Sequence, residues 1–397
     1  MEEDVLLKSL KLTNFLSFGE SAQTLELRPL NVVIGPNGSG KSNLIDAISL
    51  LLVAPTERGL RAAIGEGGGV RNWLWKGAVE QRPEATLEVD VCDPTHPEDL
   101  VYSIGFIEED QRFTVLNESV RRGLSPLDPG KPESFAEFFE RPDSYYFYSG
   151  ELGICLLNSG GERHKLTPEE ISSTSSILAR RRDPKSLPEL TYLGDAFRKI
   201  RIYRDWSFGR HSPERLPQKT DMPNDVLELG VNSNLGLVLN RLRRDPAVKK
   251  RLLDALRALY DGIDDFDVQI EGGTVQVFFH EGRHTIPASR LSDGTLRYLC
   301  LLAILCHPTP GPLICIEEPE LGLHPDVLPG LADLLKDAAE RTQLIVTTHS
   351  DVLVDALTDQ PESVIVAGRG PEGTTLNRLD AEKLKPWLEK YRLGELW

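Results

Sequence analysis

The eight residues "GPNGSGKS", Gly35 to Ser42, follow directly on the apolar run "LNVVI" and constrain the fold more than any other stretch. The spacing G-x-x-x-x-G-K-[ST] belongs between a buried strand and a helix, where a glycine-rich turn aims successive backbone N–H groups at one anion. Both flanks comply: Val32 to Ile34 read as a strand, and Lys41 to Val53 carries apolar residues at helical spacing. Gly35, Gly38 and Gly40 permit left-handed backbone angles, so the loop's N–H groups can converge. A helix starting near Gly40 adds its positive end. In this pattern the Lys41 ammonium reaches the β- and γ-phosphates and the Ser42 hydroxyl ligates Mg²⁺. Pro36, Asn37, Ser39 and Asn43 complete the phosphate-contacting stretch. The loop reads as a nucleotide site.

Composition narrows the class. Of the 397 residues, 40% are apolar and 27% charged, as in soluble globular chains. No apolar run is long enough to span a bilayer and the start "MEEDVLLKSL" is acidic, so the expectation is a cytoplasmic protein without a membrane partner. Cys92, Cys155, Cys300, Cys306 and Cys315 form no C-x-x-C and read as reduced core thiols. The net charge of −16 argues against broad coating of nucleic acid. Yet Arg180 to Arg251 holds 17 Lys and Arg against 9 Asp and Glu, in runs such as "ARRRDPK" and "FRKIRIYRDW". This stretch is either a solvated face or a docking surface for DNA or a protein effector.

Along the chain, 6–18 and 24–34 alternate like strands that lead into the loop. The glycine-rich 58–75 reads as a surface loop, and 85–91, 100–106 and 112–120 as a small antiparallel sheet. The aromatic cluster "YYFY" (145–148) is strand packing or a platform for stacking bases. Residues 168–260 read as helical, ending in a helix with Asp245 as N-cap and Pro246 at its first position. Two strands follow, 266–270 and 274–279. From about 290 helices (293–306, 325–338, 351–357) alternate with strands (313–316, 343–347, 363–367). The nucleotide fold is thus assembled from both ends of the chain. The expected blocks are an N-terminal lobe of the nucleotide fold at 1–165, a helical, locally basic insert at 166–262 and a C-terminal lobe of the same fold at 263–397.

Three further stretches bear chemistry. "PLICIEEPE" (312–320) is an apolar strand ending in two carboxylates. Adjacent side chains on a strand face opposite ways, so Glu317 is placed to hold Mg²⁺ or its water and Glu318 to orient and deprotonate an attacking water. "QLIVTTHS" (343–350) repeats the design and sets His349 beside a terminal phosphate. "RLSDGTLRY" (290–298) puts Ser292, Asp293 and Gly294 before an apolar helix, where Ser292 is a plain N-cap or part of an anion-binding helix terminus.

The order and spacing of these elements resemble ABC-type ATPases of the RecF/SMC head class, which includes the overcoming-lysogenization-defect proteins. The resemblance covers residues 5–55 and 285–370 well and the middle loosely. It implies an α/β P-loop fold of ABC-head type with an antiparallel β subdomain, binding and hydrolysing ATP with Mg²⁺. "GPNGSGKS" resembles Walker A, "LSDGT" the signature, "ICIEEPELGLHP" Walker B with the D-loop, and "TTHS" the switch histidine. By the same resemblance the chain works as an ATP-dependent homodimer, each ATP lying between Walker A of one copy and Ser292–Gly294 of the other. The absence of heptads in the roughly 250 residues between Ser42 and Ser292 resembles the compact RecF arrangement. The chain's end soon after His349 leaves no expected nuclease domain.

Three departures stand out. Glu317 replaces the usual Walker B aspartate, Asp293 adds a negative charge to the signature, and the family's Q-loop glutamine has no clear counterpart. Gln81 lies at a plausible distance, while "SSTSSIL" (172–178) offers only Ser and Thr. Two functions therefore compete: an ATP-driven dimerising switch in DNA repair, DNA maintenance or defence, and a low-turnover regulatory or scaffold subunit that controls an effector without touching DNA. A transporter subunit would need a membrane partner, and a small-molecule kinase would not need "LSDGT" or "TTHS".

Overall fold

The computed structural model describes residues 5–21, 23–77, 83–123, 143–167, 170–260, 262–388 and 391–396. The chain divides into two units that interleave in sequence. The first holds residues 1–29, 35–201 and 365–377, and the second 30–34, 202–364 and 378–397. Residues 166–262 are thus split after Arg201 rather than forming a block of their own.

The first unit is built on an eight-stranded antiparallel sheet, larger than the three-stranded sheet the sequence suggests. Its spatial order is Thr24–Glu26, Leu7–Thr13, Ala85–Val91, Leu100–Glu109, Arg112–Arg122, Ser144–Ser149, Ile154–Ser159 and Glu162–Lys165. Ala85–Val91 alternates buried and half-buried residues, as a strand with one face on the core requires. Tyr146, Phe147 and Tyr148 are buried in this sheet, so the aromatic cluster is packing and not a platform for bases. The stretch 58–75 is not a loop: Gly59–Glu66 and Val70–Trp73 are helical, with Leu60 and Ile64 buried one turn apart. Gly67 to Gly69 only separate the two helices.

In the second unit, Leu313–Glu317, Gln343–Thr348 and Leu30–Ile34 pair in parallel in that order. Every residue of the latter two strands is buried, as is Leu313 to Ile316. Such runs belong to a parallel sheet covered on both faces. The short strand Arg201–Tyr203 flanks Leu313–Glu317. Asp293–Leu305 and Leu328–Ala339 are the principal covering helices, each with a largely buried apolar face. Asp245 accepts from Ala247 N and Val248 N to cap Pro246–Leu259, as the sequence predicts. The helical stretch expected over 168–260 is broken, however. Between Tyr203 and Leu235 the chain runs through turns, short 3₁₀ segments and the two-residue strand Gln218–Lys219, and Pro213, Pro217 and Pro223 remove helical donors there. Among the described residues no helix is long and apolar enough to cross a membrane. Cys155, Cys300, Cys306 and Cys315 are buried and, like the half-buried Cys92, form no disulfide among the described residues.

One buried acid ties the first unit's sheet to the chain that leaves it. Glu118 accepts from the Tyr102 hydroxyl at 2.9 Å, from Ser176 Oγ at 2.5 Å and from Ile177 N at 3.0 Å. Burial outweighs these bonds and pushes its carboxyl up to about 7. The folded protein therefore keeps a proton that the unfolded chain releases near 4.5. The corresponding stability is complete below that pH and is lost as pH rises to about 7. Glu118→Gln keeps the acceptor and has no such loss. Its stability relative to the wild type should rise by ~3 kcal/mol between pH 4.5 and 8 in paired urea titrations. A constant difference across that range would contradict the assignment.

Candidate functional site

The phosphate-loop motif lies in the first unit. Gly38 (φ 77°) and Gly40 (φ 99°) take left-handed angles. Gly35 is needed for a different reason than its predicted backbone freedom: a Cβ there would meet the Ala367 carbonyl at 2.4 Å. Two hydroxyls brace the turn. Thr374 Oγ1 donates to Ser39 O at 2.9 Å and bonds Ser17 Oγ at 2.7 Å, and Asn43 Nδ2 donates to Ser17 Oγ at 2.6 Å. Helix Lys41–Val53 starts at Gly40 without a side-chain cap. Lys41 is buried, and its Nζ donates to the carbonyls of Gly35 (2.6 Å) and Pro36 (3.2 Å). Ser42 is exposed at the helix start, and the Cβ side of Gly38 is open space. A buried ammonium held by carbonyls, beside an uncapped helix terminus, fits a phosphate chain with its metal.

The second unit carries the carboxylates. Ile34, the last residue before the loop, is the Cα partner of Thr348, and Thr347 is the partner of Glu317. The register therefore sets Glu317, Glu318 and His349 at the same end of the sheet at which the chain enters "GPNGSGKS". Structure brings two predicted residues together directly: His349 Nε2 lies 3.0 Å from Glu318 Oε1. Glu318 takes a left-handed angle (φ 46°), a conformation costing about 1–2 kcal/mol for a residue with a Cβ. Its backbone is held on both sides, since its N–H donates to Thr347 O at 2.9 Å and its carbonyl accepts from Arg297 Nη2 at 2.5 Å.

Several residues here were not anticipated. The Arg297 guanidinium lies 4.8 Å over the Trp206 ring, and burial lowers its pKa to about 10 against the pull of Glu320 and Glu318. Trp206 Nε1 donates to the Glu317 carbonyl at 2.9 Å, and Arg204 Nε to Glu317 Oε2 at 3.2 Å. Glu320 Oε1 accepts from His349 N (2.8 Å) and Thr348 Oγ1 (2.7 Å), fixing the backbone that carries the histidine. The third acid of "EEPE" and the aromatic–basic run "RIYRDW" were the only signals in the sequence.

At the signature, Ser292 is exposed and caps Asp293–Leu305, accepting from Thr295 N at 3.1 Å. A Cβ on Gly294 would meet Gly322 O at 2.6 Å, so only glycine lets the two turns pack. The extra charge of Asp293 is countered. The buried Arg215 pairs with its carboxylate and also donates to the Leu291 carbonyl and, at 2.9 Å, to Gly209 O. Gln81 lies outside the described residues. Of the 17 basic residues in 180–251, at least nine form ion pairs, among them Arg181–Glu170, Arg182–Asp195 and Arg251–Asp337.

Comparison with known proteins bears on the family and the fold. A family model described as "AAA domain, putative AbiEii toxin, Type IV TA system" matches residues 156–355, and one described as "RecF/RecN/SMC N terminal domain" matches residues 6–67. The Old nuclease of Escherichia phage P2 is 24% identical over 415 residues, covering 96% of this chain and 62% of the nuclease. The chromosome partition protein Smc of Desulfitobacterium hafniense (strain Y51) is 39% identical over 88 residues, covering 22% of this chain and 7% of that protein. The chain thus spans less than two thirds of these relatives' length. Two solved structures share the fold, each at TM-score 0.58. One is an Smc head bound to the C-winged helix domain of ScpA (16% identity, covering 95% of this chain and 99% of that one). The other is a Pyrococcus furiosus Smc head with an extended coiled coil, bound to the C-terminal domain of ScpA (13% identity, 97% and 99%).

Replacing Arg297 tests the support under Glu318. Arg297→Met leaves the Glu318 carbonyl without its donor and the Trp206 ring without its cation, and should cost about 2–3 kcal/mol in chemical denaturation. A loss within 0.5 kcal/mol, the scatter expected of a surface change, would show that the guanidinium does not hold this turn.

Proposed function

The chain belongs to the AAA domain family described as putative AbiEii toxin, type IV TA system, and has the ABC-type, RecF/SMC-like ATPase fold, and on that premise we propose that it binds and hydrolyses ATP as a switch that closes two copies on the nucleotide. The observation that carries this reading is the Glu318–His349 contact at 3.0 Å, held at the end of a sheet whose Leu30–Ile34 strand runs straight into the phosphate loop. Bound ATP and Mg²⁺ would supply the anhydride to be broken and a Lewis acid for its oxygens. Lys41 exchanges its two carbonyls for phosphate oxygens. Ser42 and Glu317 are the residues that would hold the metal. Glu318 takes the proton of the attacking water, while the imidazole of His349 holds that carboxylate in place and offers charge to the terminal phosphate.

Dimer formation follows from what one copy lacks. Ser292 and Gly294 stand at the exposed start of Asp293–Leu305, a thirteen-residue helix whose dipole and N–H groups suit an anion brought by a second copy. Arg215 keeps Asp293 from opposing that contact. Pairing of heads in this way leaves the 180–251 segment to partners. Its ion pairs favour a second reading, in which a protein effector and not DNA is controlled, because much of its positive charge is already met within the fold.

Two measurements decide between these. Glu318→Gln should retain ATP binding, lose at least about 100-fold in hydrolysis and elute as a dimer on size exclusion with ATP and Mg²⁺. A monomeric Glu318→Gln under those conditions would end the switch proposal. For the partner, ATPase rates are compared with double-stranded, single-stranded and no DNA at two salt concentrations. Stimulation that collapses with salt would establish phosphate contacts and remove the DNA-free reading.

A further inference from the structure

Beside the phosphate loop, and wholly within the first unit, three side chains and one carbonyl form a continuous row. Asn43 Nδ2 lies 2.6 Å from Ser17 Oγ, Ser17 Oγ 2.7 Å from Thr374 Oγ1, and Thr374 Oγ1 2.9 Å from Ser39 O. Each hydroxyl has one proton, an amide nitrogen only donates and a carbonyl only accepts. The proton of Thr374 must therefore go to Ser39 O, that of Ser17 to Thr374, and an Asn43 N–H to Ser17. An Asn43 turned about, with its oxygen on Ser17, would leave one of the other two contacts without a proton. The row runs one way, and bonds ordered head to tail strengthen one another.

Its last acceptor is the carbonyl that precedes Gly40. Ser39 lies between two glycines, Gly38 and Gly40, around which the backbone rotates with little steric cost. The peptide planes there need an external restraint. The peptide bonds are trans, and in a trans peptide the C=O and the following N–H point opposite ways. By holding Ser39 O, Thr374 turns the Gly40 N–H away from itself. The flipped peptide would present a carbonyl oxygen where a nest of N–H groups suits an anion. The restraint is close: a Cβ on Gly40 would meet Thr374 Oγ1 at 2.2 Å and Ser17 Oγ at 2.7 Å.

Both hydroxyls stand on backbone fixed independently of the loop. Asn14 and Leu16 take left-handed angles, φ 51° each, that residues with a Cβ rarely adopt. Phe15 and Phe18 exchange backbone bonds of 3.0 and 2.8 Å, and Leu16 N–H donates to Trp73 O at 2.7 Å. Thr374 N–H donates to Ser17 O at 2.8 Å. A Cβ on the neighbouring Gly373 would meet that same oxygen at 2.5 Å. Unfavourable backbone conformations persist where the surroundings over-determine them, and they gather at binding sites.

We infer that Ser17 and Thr374 are positioning residues of the nucleotide site, which set the Ser39–Gly40 peptide so that the Gly40 N–H faces the α- and β-phosphates. The inference rests on the nucleotide reading above. It adds to the phosphate loop two residues outside the motif, one of them 335 positions away from the carbonyl it holds.

The test is equilibrium titration of the full chain with fluorescently labelled ATP and ADP at saturating Mg²⁺, with urea denaturation of the same samples to establish that they are folded. Thr374→Val keeps the branched shape and removes the donor. It should weaken ATP and ADP alike by about tenfold, the worth of one hydrogen bond to a charged group, since both contain the phosphates concerned. Thr374→Ser keeps the hydroxyl and should stay within about twofold of the wild type. Ser17→Ala should match Thr374→Val, and the double variant should lose no more than about twofold beyond either, because one broken link breaks the row. A folded Thr374→Val with wild-type affinity for both nucleotides overturns the inference and leaves the nucleotide reading intact. So does a double variant in which the two losses multiply. Should Thr374→Val not fold, Ser17→Ala decides on the same terms. A wild-type protein that binds neither nucleotide, or a folded Lys41→Ala that binds both as the wild type does, overturns the nucleotide reading and this inference with it.

Discussion

A parallel sheet buried on both faces holds a polar side chain inside only where it is hydrogen-bonded, as Asn31 is to the Leu344 carbonyl at 3.0 Å, and leaves other polar groups to the strand ends. That constraint governs the second unit. Leu30–Ile34, Gln343–Thr348 and Leu313–Glu317 are mostly apolar inside and pair in a register that ends them level, Ile34 with Thr348 and Thr347 with Glu317. A one-residue slip would move buried side chains of a strand to the opposite face, so the packing of valines and isoleucines also specifies where Glu317, Glu318 and His349 emerge. The chemistry proposed for the chain depends on this edge, and the edge depends on burial.

Residues at that edge sit in conformations that the sheet alone would not maintain. Glu318 is left-handed without being a glycine, and it stays so because Thr347 and Arg297 occupy its N–H and its carbonyl. Arg297 comes from the helix that Ser292 caps, so the support of Glu318 and the exposed signature belong to one rigid element. Strain of this sort persists where the surroundings over-determine it. A stacked indole, a buried guanidinium and a backbone carbonyl do so here.

The parts legible in the sequence were those with a strong local pattern. The phosphate loop, the strand–polar-end design of "LICIEE" and "LIVTTHS", and the Asp245–Pro246 helix start each contain their whole signal within about ten residues. What stayed hidden was supplied by residues distant in sequence. Arg204 and Trp206 lie more than a hundred positions before the glutamate they touch, and their spacing carries no mark of it. The basic stretch shows the same limit. Counting charges in 180–251 registers the lysines and arginines but not Glu170, Asp265, Asp293 or Asp337, the partners that meet some of them. The eight-stranded sheet was underestimated because its last strands are short and its order is set by neighbours rather than by composition.

The interleaving of the two units has a consequence for biosynthesis. Leu30–Ile34 leaves the ribosome early, but its hydrogen-bonding neighbour, Gln343–Thr348, is translated about 300 residues later. At roughly 5–20 residues per second, that apolar strand waits some tens of seconds before it can be covered. The nascent chain thus spends most of its synthesis with an unpaired hydrophobic edge. No continuous fragment of the gene would encode either unit without most of the other.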